Sequence, residues 1–425
     1  MLATAALLSA CSPEDDDLSD IIPEEETSSI DSVWYNVTSH VSYNPTEYFQ
    51  YLLKSYPELS QSETVTTGFN LIMSQLPEGM TFESYSYTYK SIDEKGAEAE
   101  VSAALIVPVC ANNLLAHELV LDNRFTTTDE KSMPSKAAVL GHALAFKGNP
   151  VVVSDLLGFC ASNSHPVNYC CPHVSARNSV DAVKAAQFML SSQLCGKLIK
   201  EPMPIYNVGY SQGGYDALAV ERYMEKDATD NDKKYVSIIK TYCGAGPYDL
   251  AVFHKAVNQM PAYMYSPFIV MSQMSMIAYH SELVDGLTVD ELLTDECKAL
   301  GIQEKINSRS IPNNELISTA VAANGTDIKK YFKAEYLDTE GALYKKIQPA
   351  VEAESLIKDW KPTGKIAFFH GKNDDCVPSA CTMAAEEAFK GLDNVTFTYD
   401  ESEGKVGLHS DLTATFYIGL LTKWY

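Results

Sequence analysis

A serine with glycine two positions away on either side narrows the fold more than any other feature of this chain. Gly209-Tyr210-Ser211-Gln212-Gly213 follows Pro204-Ile205-Tyr206-Asn207-Val208, a β-prone run. It precedes Tyr215-Asp216-Ala217-Leu218-Ala219-Val220-Glu221-Arg222-Tyr223, whose pattern is helical. A strand, a sharp turn and a helix are the context in which such a serine presents its hydroxyl. Side chains at positions −2 and +2 would collide with the neighbouring strand and helix, which explains the glycines. Ser211 is therefore a candidate nucleophile. The backbone N–H of Gln212, at the N-terminus of the following helix, is a candidate oxyanion donor, because the helix dipole favours negative charge there.

Two partners follow in the order that this chemistry needs. The apolar strand Ile366-Ala367-Phe368-Phe369-His370-Gly371 leads into the loop Lys372-Asn373-Asp374-Asp375-Cys376-Val377-Pro378. After a further strand, Val395-Thr396-Phe397-Thr398-Tyr399, comes Gly407-Leu408-His409-Ser410. Ser211, Asp374, His409 is the chain order of an α/β-hydrolase. In that scheme Ser211 attacks a carbonyl carbon, His409 moves the proton, and Asp374 fixes the imidazole tautomer. Asp375 competes with Asp374, since adjacent carboxylates look alike in sequence. His370 sits at a strand end before the acid loop and reads as structural. Asp155, at the end of Val151-Val152-Val153-Ser154, reads as a loop brace.

Spacing adds an insertion. A doubly wound sheet needs only about 60–100 residues between nucleophile and acid, and the stretch from Ser211 to Asp374 is much longer. The surplus, residues 251–349, is mostly helical in pattern and rich in Met and aromatic residues, among them Phe253, Met260, Tyr263, Met264, Tyr265, Phe268, Met271, Met274, Met276 and Tyr279. Such a stretch suits core packing. Its place before the acid also suits a lid with an adaptable acyl pocket. Elsewhere, residues 44–77 carry two helical patterns, and residues 82–108 alternate as a hairpin turning near Glu94-Lys95-Gly96. Strands are expected over Glu118–Asp122 and Pro150–Asp155. An amphipathic helix is expected over Asn178–Ser191, with Asp181 and Lys184 on its polar side.

The start of the chain bears on location. Leu2 to Ala10 is apolar and small and ends Leu8-Ser9-Ala10-Cys11, which resembles a bacterial lipobox with Cys11 as the lipidated residue. An acidic, Ser-rich stretch to Ser32 reads as a tether. The expected organisation is a signal and lipobox over 1–11, a tether over 12–32, and a first part of the hydrolase core with N-terminal helices over 33–250. The lid insertion then occupies 251–349 and the end of the core 350–425. Outer-membrane anchoring through Cys11, facing the cell surface or periplasm, is the expected localisation. A net charge of −24 argues against a nucleic-acid partner. Ten cysteines leave nine if Cys11 is acylated, and Cys376–Cys381 is a candidate disulfide that would brace the acid loop. No paired CxxC suggests zinc, so neither metal nor cofactor is expected.

From Tyr85 to Tyr425 the chain resembles the secretory lipase (lipase-A-like) branch of the α/β-hydrolases. The matching pieces are the hairpin, Val151-Val152-Val153-Ser154-Asp155-Leu156-Leu157-Gly158, His165-Pro166, Gly209 to Gly214, Gly246-Pro247-Tyr248-Asp249-Leu250, and His370-Gly371-Lys372-Asn373-Asp374 through Val377-Pro378. The resemblance implies an α/β-hydrolase fold: a mostly parallel sheet flanked by helices, with a helical lid inserted before the acid. It also implies cleavage of carboxylic esters, with a small-molecule or lipid acyl ester as substrate. One departure stands out. Family members often carry a His-Gly-Thr-like run after the strand before the oxyanion loop, and here the run is Asp122-Asn123-Arg124-Phe125-Thr126. Phe125 and Thr126 are the expected positions of the second oxyanion donor, with Arg124 as an alternative donor. Three other functions compete with that of a lipase or esterase: an esterase on acylated polysaccharide, a peptidase on the same triad, and a non-catalytic surface-binding lipoprotein.

Overall fold

A computed structural model describes residues 33–56 and 72–424. Its framework starts from one long hairpin. Strands β2 (Met80–Ile92) and β3 (Glu98–Cys110) pair antiparallel over their whole length. The turn between them places Gly96 at φ 76°, a left-handed conformation that costs an L-residue about 1–2 kcal/mol.

The sheet is completed by β1 (Tyr35–Tyr43), β4 (Asn113–Leu114), β5 (Leu119–Asn123), β6 (Val151–Ser154), β7 (Ile205–Tyr210), β8 (Ile238–Gly244), β9 (Ile366–Gly371) and β10 (Val395–Asp400). The strand order is β1-β2-β3-β6-β5-β7-β8-β9-β10, with β4 beside β3. Pairing is antiparallel from β1 to β6 and parallel from β6 to β10. β5 and β6 are buried throughout, as expected of parallel strands covered on both faces. Their side chains alternate between two cores. Leu119, Leu121 and Val152 join one cluster, while Val120, Val151 and Val153 join the other with Phe82, Tyr210 and Phe416.

β1 was not anticipated. It is an edge strand whose side chains are mostly exposed, so it lacks the apolar alternation that marks a half-buried strand. The first helical pattern of residues 44–77 is the helix Pro45–Ser55, capped by Asn44 with Glu47 closing a capping box. The second falls largely outside the described residues, as do Cys11 and the acidic tether. No helix among the described residues is long and apolar enough to cross a membrane.

The expected helix at Asn178 begins earlier, at Pro172, and runs to Ser191. Its polar side is buried as well. Lys184 Nζ bridges Asp181 (3.1 Å) and Asp232 (2.9 Å), and Arg177 Nε meets Asp181 at 2.8 Å. Asp232 comes from the short helix Asp230–Tyr235, so charge pairing replaces solvent on that face. Between β8 and β9 the chain is helical, with Leu250–Val257, Ser266–Tyr279, Asn313–Asn324 and Ala342–Ala353 as its main helices. Met271 and Tyr279 are buried in the core cluster on this side, whereas Met264 is exposed.

Candidate active site

Ser211 lies between β7 and the helix Gln212–Lys226, with φ 61° and ψ −125°. A non-glycine residue in that region is strained and is held there only by its surroundings. Ser211 N donates to Gly244 O (2.8 Å), and Tyr215 N donates to Ser211 O (3.2 Å). A Cβ on Gly209 would lie 2.0 Å from Gly213 O, and one on Gly213 would lie 1.8 Å from Asn123 O. The two glycines therefore let the helix after Ser211 pack against its own strand and against the end of β5.

Asp374 and His409, the expected acid and base, lie in contact. Asp374 Oδ2 accepts from His409 Nδ1 at 2.6 Å. Asp374 Oδ1 accepts from the backbone N–H groups of Cys376 (2.9 Å) and Val377 (2.7 Å). Burial alone would push the Asp374 carboxyl up. The charge and hydrogen bond of His409 and the contact with His370 outweigh it and hold the carboxyl well below the usual carboxylate range. The His409 ring packs against Tyr210 at 5.0 Å between centroids, and Tyr210 Oη donates to His409 O (3.1 Å). The imidazole is thus fixed against the residue that precedes Ser211.

The two neighbouring carboxylates take different jobs. Asp374 holds the imidazole, whereas Asp375 Oδ1 accepts from the His409 backbone N–H at 3.1 Å. His370 is fully buried. Its Nε2 donates to Val377 O (2.8 Å), which leaves Nδ1 to accept from Thr382 Oγ1 (2.6 Å). That brace, with the two bonds into Asp374 Oδ1, holds the acid loop. Cys376 and Cys381 are both free thiols, so the loop is braced by hydrogen bonds and not by the expected disulfide. Asp155 is a brace too, accepting from Ser102 Oγ (2.6 Å) and Ser135 N (2.9 Å).

The segment Asn123–Thr126 passes directly beside Gly213. Arg124 is buried, donates from Nε to Asp155 O (3.0 Å) and lies over the Phe159 ring. The Phe125 ring meets Tyr56 edge-on, with centroids 6.5 Å apart. Thr126 O accepts from Asn313 Nδ2 (2.7 Å), and Thr126 Oγ1 donates to Tyr169 Oη (3.2 Å). Asn313 belongs to the insertion. So do Tyr263, whose hydroxyl donates to Cys376 O (3.0 Å), and Tyr265, whose hydroxyl donates to Asp375 Oδ2 (3.2 Å). The insertion therefore grips both the loop after β5 and the acid loop. These three residues carry no local sequence signal, because their partners lie over a hundred positions away. A largely apolar cavity lies between the sharp turn at Ser211, the elbow, and the insertion, with Ser211 and Gln212 on one wall and Phe253, Tyr263, Phe268 and Met276 on the other.

A family model described as secretory lipase matches residues 136–416, a span that contains Ser211, Asp374 and His409. The chain belongs to the secretory lipase family. The chain is accordingly an ester hydrolase of the α/β-hydrolase fold. Its fold is similar to that of the rice cell wall degrading esterase LipA from Xanthomonas oryzae, with a TM-score of 0.71 and 17% identity over 92% of this chain and 98% of that one. A hydrolase from Legionella pneumophila, described as putative in its structure's name, gives 0.70 and 17%, covering 91% of this chain and 96% of that chain. Candida antarctica lipase A gives 0.55 and 13%, covering 81% and 79%. No curated protein matches the chain. In this chain the run Gly246-Pro247-Tyr248-Asp249-Leu250 has a clear physical role. Asp249 caps the first helix of the insertion through Ala251 N (2.9 Å) and Val252 N (3.1 Å), and a Cβ on Gly246 would press on Tyr215 N.

Proposed function

We propose that the protein is an exported serine hydrolase that cleaves carboxylic esters through Ser211, His409 and Asp374. The observation that carries this reading is the 2.6 Å bond from His409 Nδ1 to a buried Asp374, on an imidazole packed against Tyr210, the residue before the strained Ser211. Asp374 keeps the proton on Nδ1, so Nε2 is free to take the Ser211 proton. Ser211 Oγ then bonds to the ester carbonyl carbon. The oxyanion is met by the Gln212 N–H and by a second donor from Phe125 or Thr126. His409 returns its proton to the departing alcohol, leaving an acyl-enzyme. Water, activated by the same imidazole, releases the acid.

The helical insertion acts as a lid and acyl pocket in this reading. Its contacts to the loop after β5 and to the acid loop support that role, as does the apolar wall facing Ser211. Export follows the family description and the lipobox at Cys11, which would anchor the protein to the outer membrane. A second reading, an esterase on acyl-decorated polysaccharide, follows the rice cell wall degrading esterase whose fold the chain shares.

The test is hydrolysis of p-nitrophenyl esters from acetate to palmitate, beside an acetylated polysaccharide, with wild type and Ser211→Ala. Turnover that disappears in Ser211→Ala while the fold persists supports the assignment. Full turnover in that variant overturns it. Failure of a fluorophosphonate probe to label folded wild type at Ser211 would leave a non-catalytic binding protein as the better reading.

A further inference from the structure

Three chain segments far apart in sequence converge on one small cluster outside the Ser211 site. His173 stands in the first turn of the core helix Pro172–Ser191. His280 ends the insertion helix Ser266–Tyr279, and Glu354 ends the insertion helix Ala342–Ala353. His173 Nδ1 lies 2.5 Å from Glu354 Oε1, and His280 Nε2 lies 2.6 Å from the same oxygen. The three donor atoms all fall within 4.8 Å of one another. We propose that His173, His280 and Glu354 form a binding site for one divalent transition-metal ion of the zinc class, which fastens the helical insertion to the core.

The donor set fits that chemistry. Two imidazole nitrogens and one carboxylate oxygen suit zinc, with bonds of about 2.0–2.2 Å and a water in the fourth tetrahedral position. Donors around such an ion stand about 3.3 Å apart, so the cluster needs to open by less than about 1 Å. Orientation is already supplied. Glu354 is buried, and its backbone carbonyl accepts the Tyr215 hydroxyl from the nucleophile helix. His280 turns its other nitrogen, Nδ1, toward Glu282 Oε1 at 3.6 Å. A metal-bound imidazole keeps its remaining proton on the far nitrogen and commonly donates it to a carboxylate, and Glu282 stands where that proton would point. The His173 side chain is 44% exposed, which gives an ion an entry path and leaves room for water.

The location gives such a site a mechanical consequence. Met276 and Val351 line the cavity beside Ser211, and each lies one helical turn before a ligand, His280 and Glu354 respectively. An ion at the cluster would hold both cavity walls against the core. Spacing hid the cluster in the sequence, because no two ligands are close enough in the chain to form a recognisable metal motif.

The test uses tag-free full-length protein stripped with a chelator and titrated with ZnCl2 against a chromophoric competitor. One ion per chain is expected, with affinity falling by about 100-fold or more in His280→Gln and in Glu354→Gln. The melting temperature of wild type should rise with Zn2+ and that of the variants should not. His173→Gln changes a half-exposed side chain and serves if the buried replacements fail to fold. The Co2+ form should lack a thiolate charge-transfer band, which separates this site from the nine free cysteines among the described residues. Folded wild type that binds no Zn2+ would mean that the cluster is only a hydrogen-bonded clamp. Binding that survives in all three variants would place the ion elsewhere. Either result overturns the proposal.

Discussion

Gly213→Ala is the sharpest probe of how the elbow is built. An added Cβ would sit 1.8 Å from Asn123 O, 2.8 Å from Asn123 C and 3.0 Å from Arg124 O. All three are backbone atoms, so no flexible side chain can swing away. Reaching an ordinary contact of about 3.4 Å from 1.8 Å requires a shift of about 1.6 Å between the helix after Ser211 and the loop after β5. That loop cannot drift freely, since Asn123 Nδ2 donates to Val208 O (2.9 Å) and to Asn207 Oδ1 (2.8 Å), and Arg124 is tied to Asp155. Overpacking of this kind costs about 1–3 kcal/mol of stability. The same displacement separates Ser211 from the expected second oxyanion donor. A misplacement of about 1 Å costs about 100-fold in rate. Urea melts and p-nitrophenyl ester kinetics on one preparation would read both effects. Gly96→Ala is the control: its φ of 76° predicts a loss of about 1 kcal/mol, but nothing lies within 4 Å of the new Cβ and kcat should not change. A Gly213→Ala enzyme with wild-type kcat and wild-type stability would refute this account of the elbow.

Other expectations follow from the same geometry. Asp374→Asn can still accept both backbone N–H bonds, but its amide would face His409 Nδ1 and force the wrong tautomer. Its kcat should fall about 10⁴-fold with the fold intact, measured with the same esters. Asp122 is fully buried, which pushes its carboxyl up to about 7, partly offset by the Tyr417 hydroxyl. The folded state therefore holds a proton that the unfolded state has already released, and stability should fall as pH rises from about 4 to about 7. Asp122→Asn should flatten that part of a urea-melt pH series, and an unchanged slope would count against it. Because every cysteine among the described residues is a free thiol, reductant should leave the melting temperature unchanged in a calorimetric scan.

Much of the candidate site is legible in the chain itself. The glycines around Ser211 report close backbone approach, a constraint that acts over a few residues and so marks the sequence locally. Val151-Val152-Val153 is apolar on both faces because its strand is buried on both sides, and this too is a local signature. The order of Ser211, Asp374 and His409 follows from the strand order of the fold. Asp374 and Asp375 are different. They are adjacent, equally charged and equally placed in sequence, and only the turn of the loop decides which one meets the imidazole and which one meets a backbone N–H. Asp181 and Lys184 look solvent-facing by periodicity, but Asp232 from another helix makes burial tolerable for them. Cys376 and Cys381 are close in the chain, yet proximity does not align two thiols. The second oxyanion position, the grip of Asn313, Tyr263 and Tyr265 on the active-site loops, and the meeting of His173, His280 and Glu354 all belong to long-range packing. Sequence determined which residues could do chemistry here, because steric and periodic constraints act along the chain. Tertiary structure alone decided which of them meet, because distance in space between far-apart segments is set by how the helices and sheet pack.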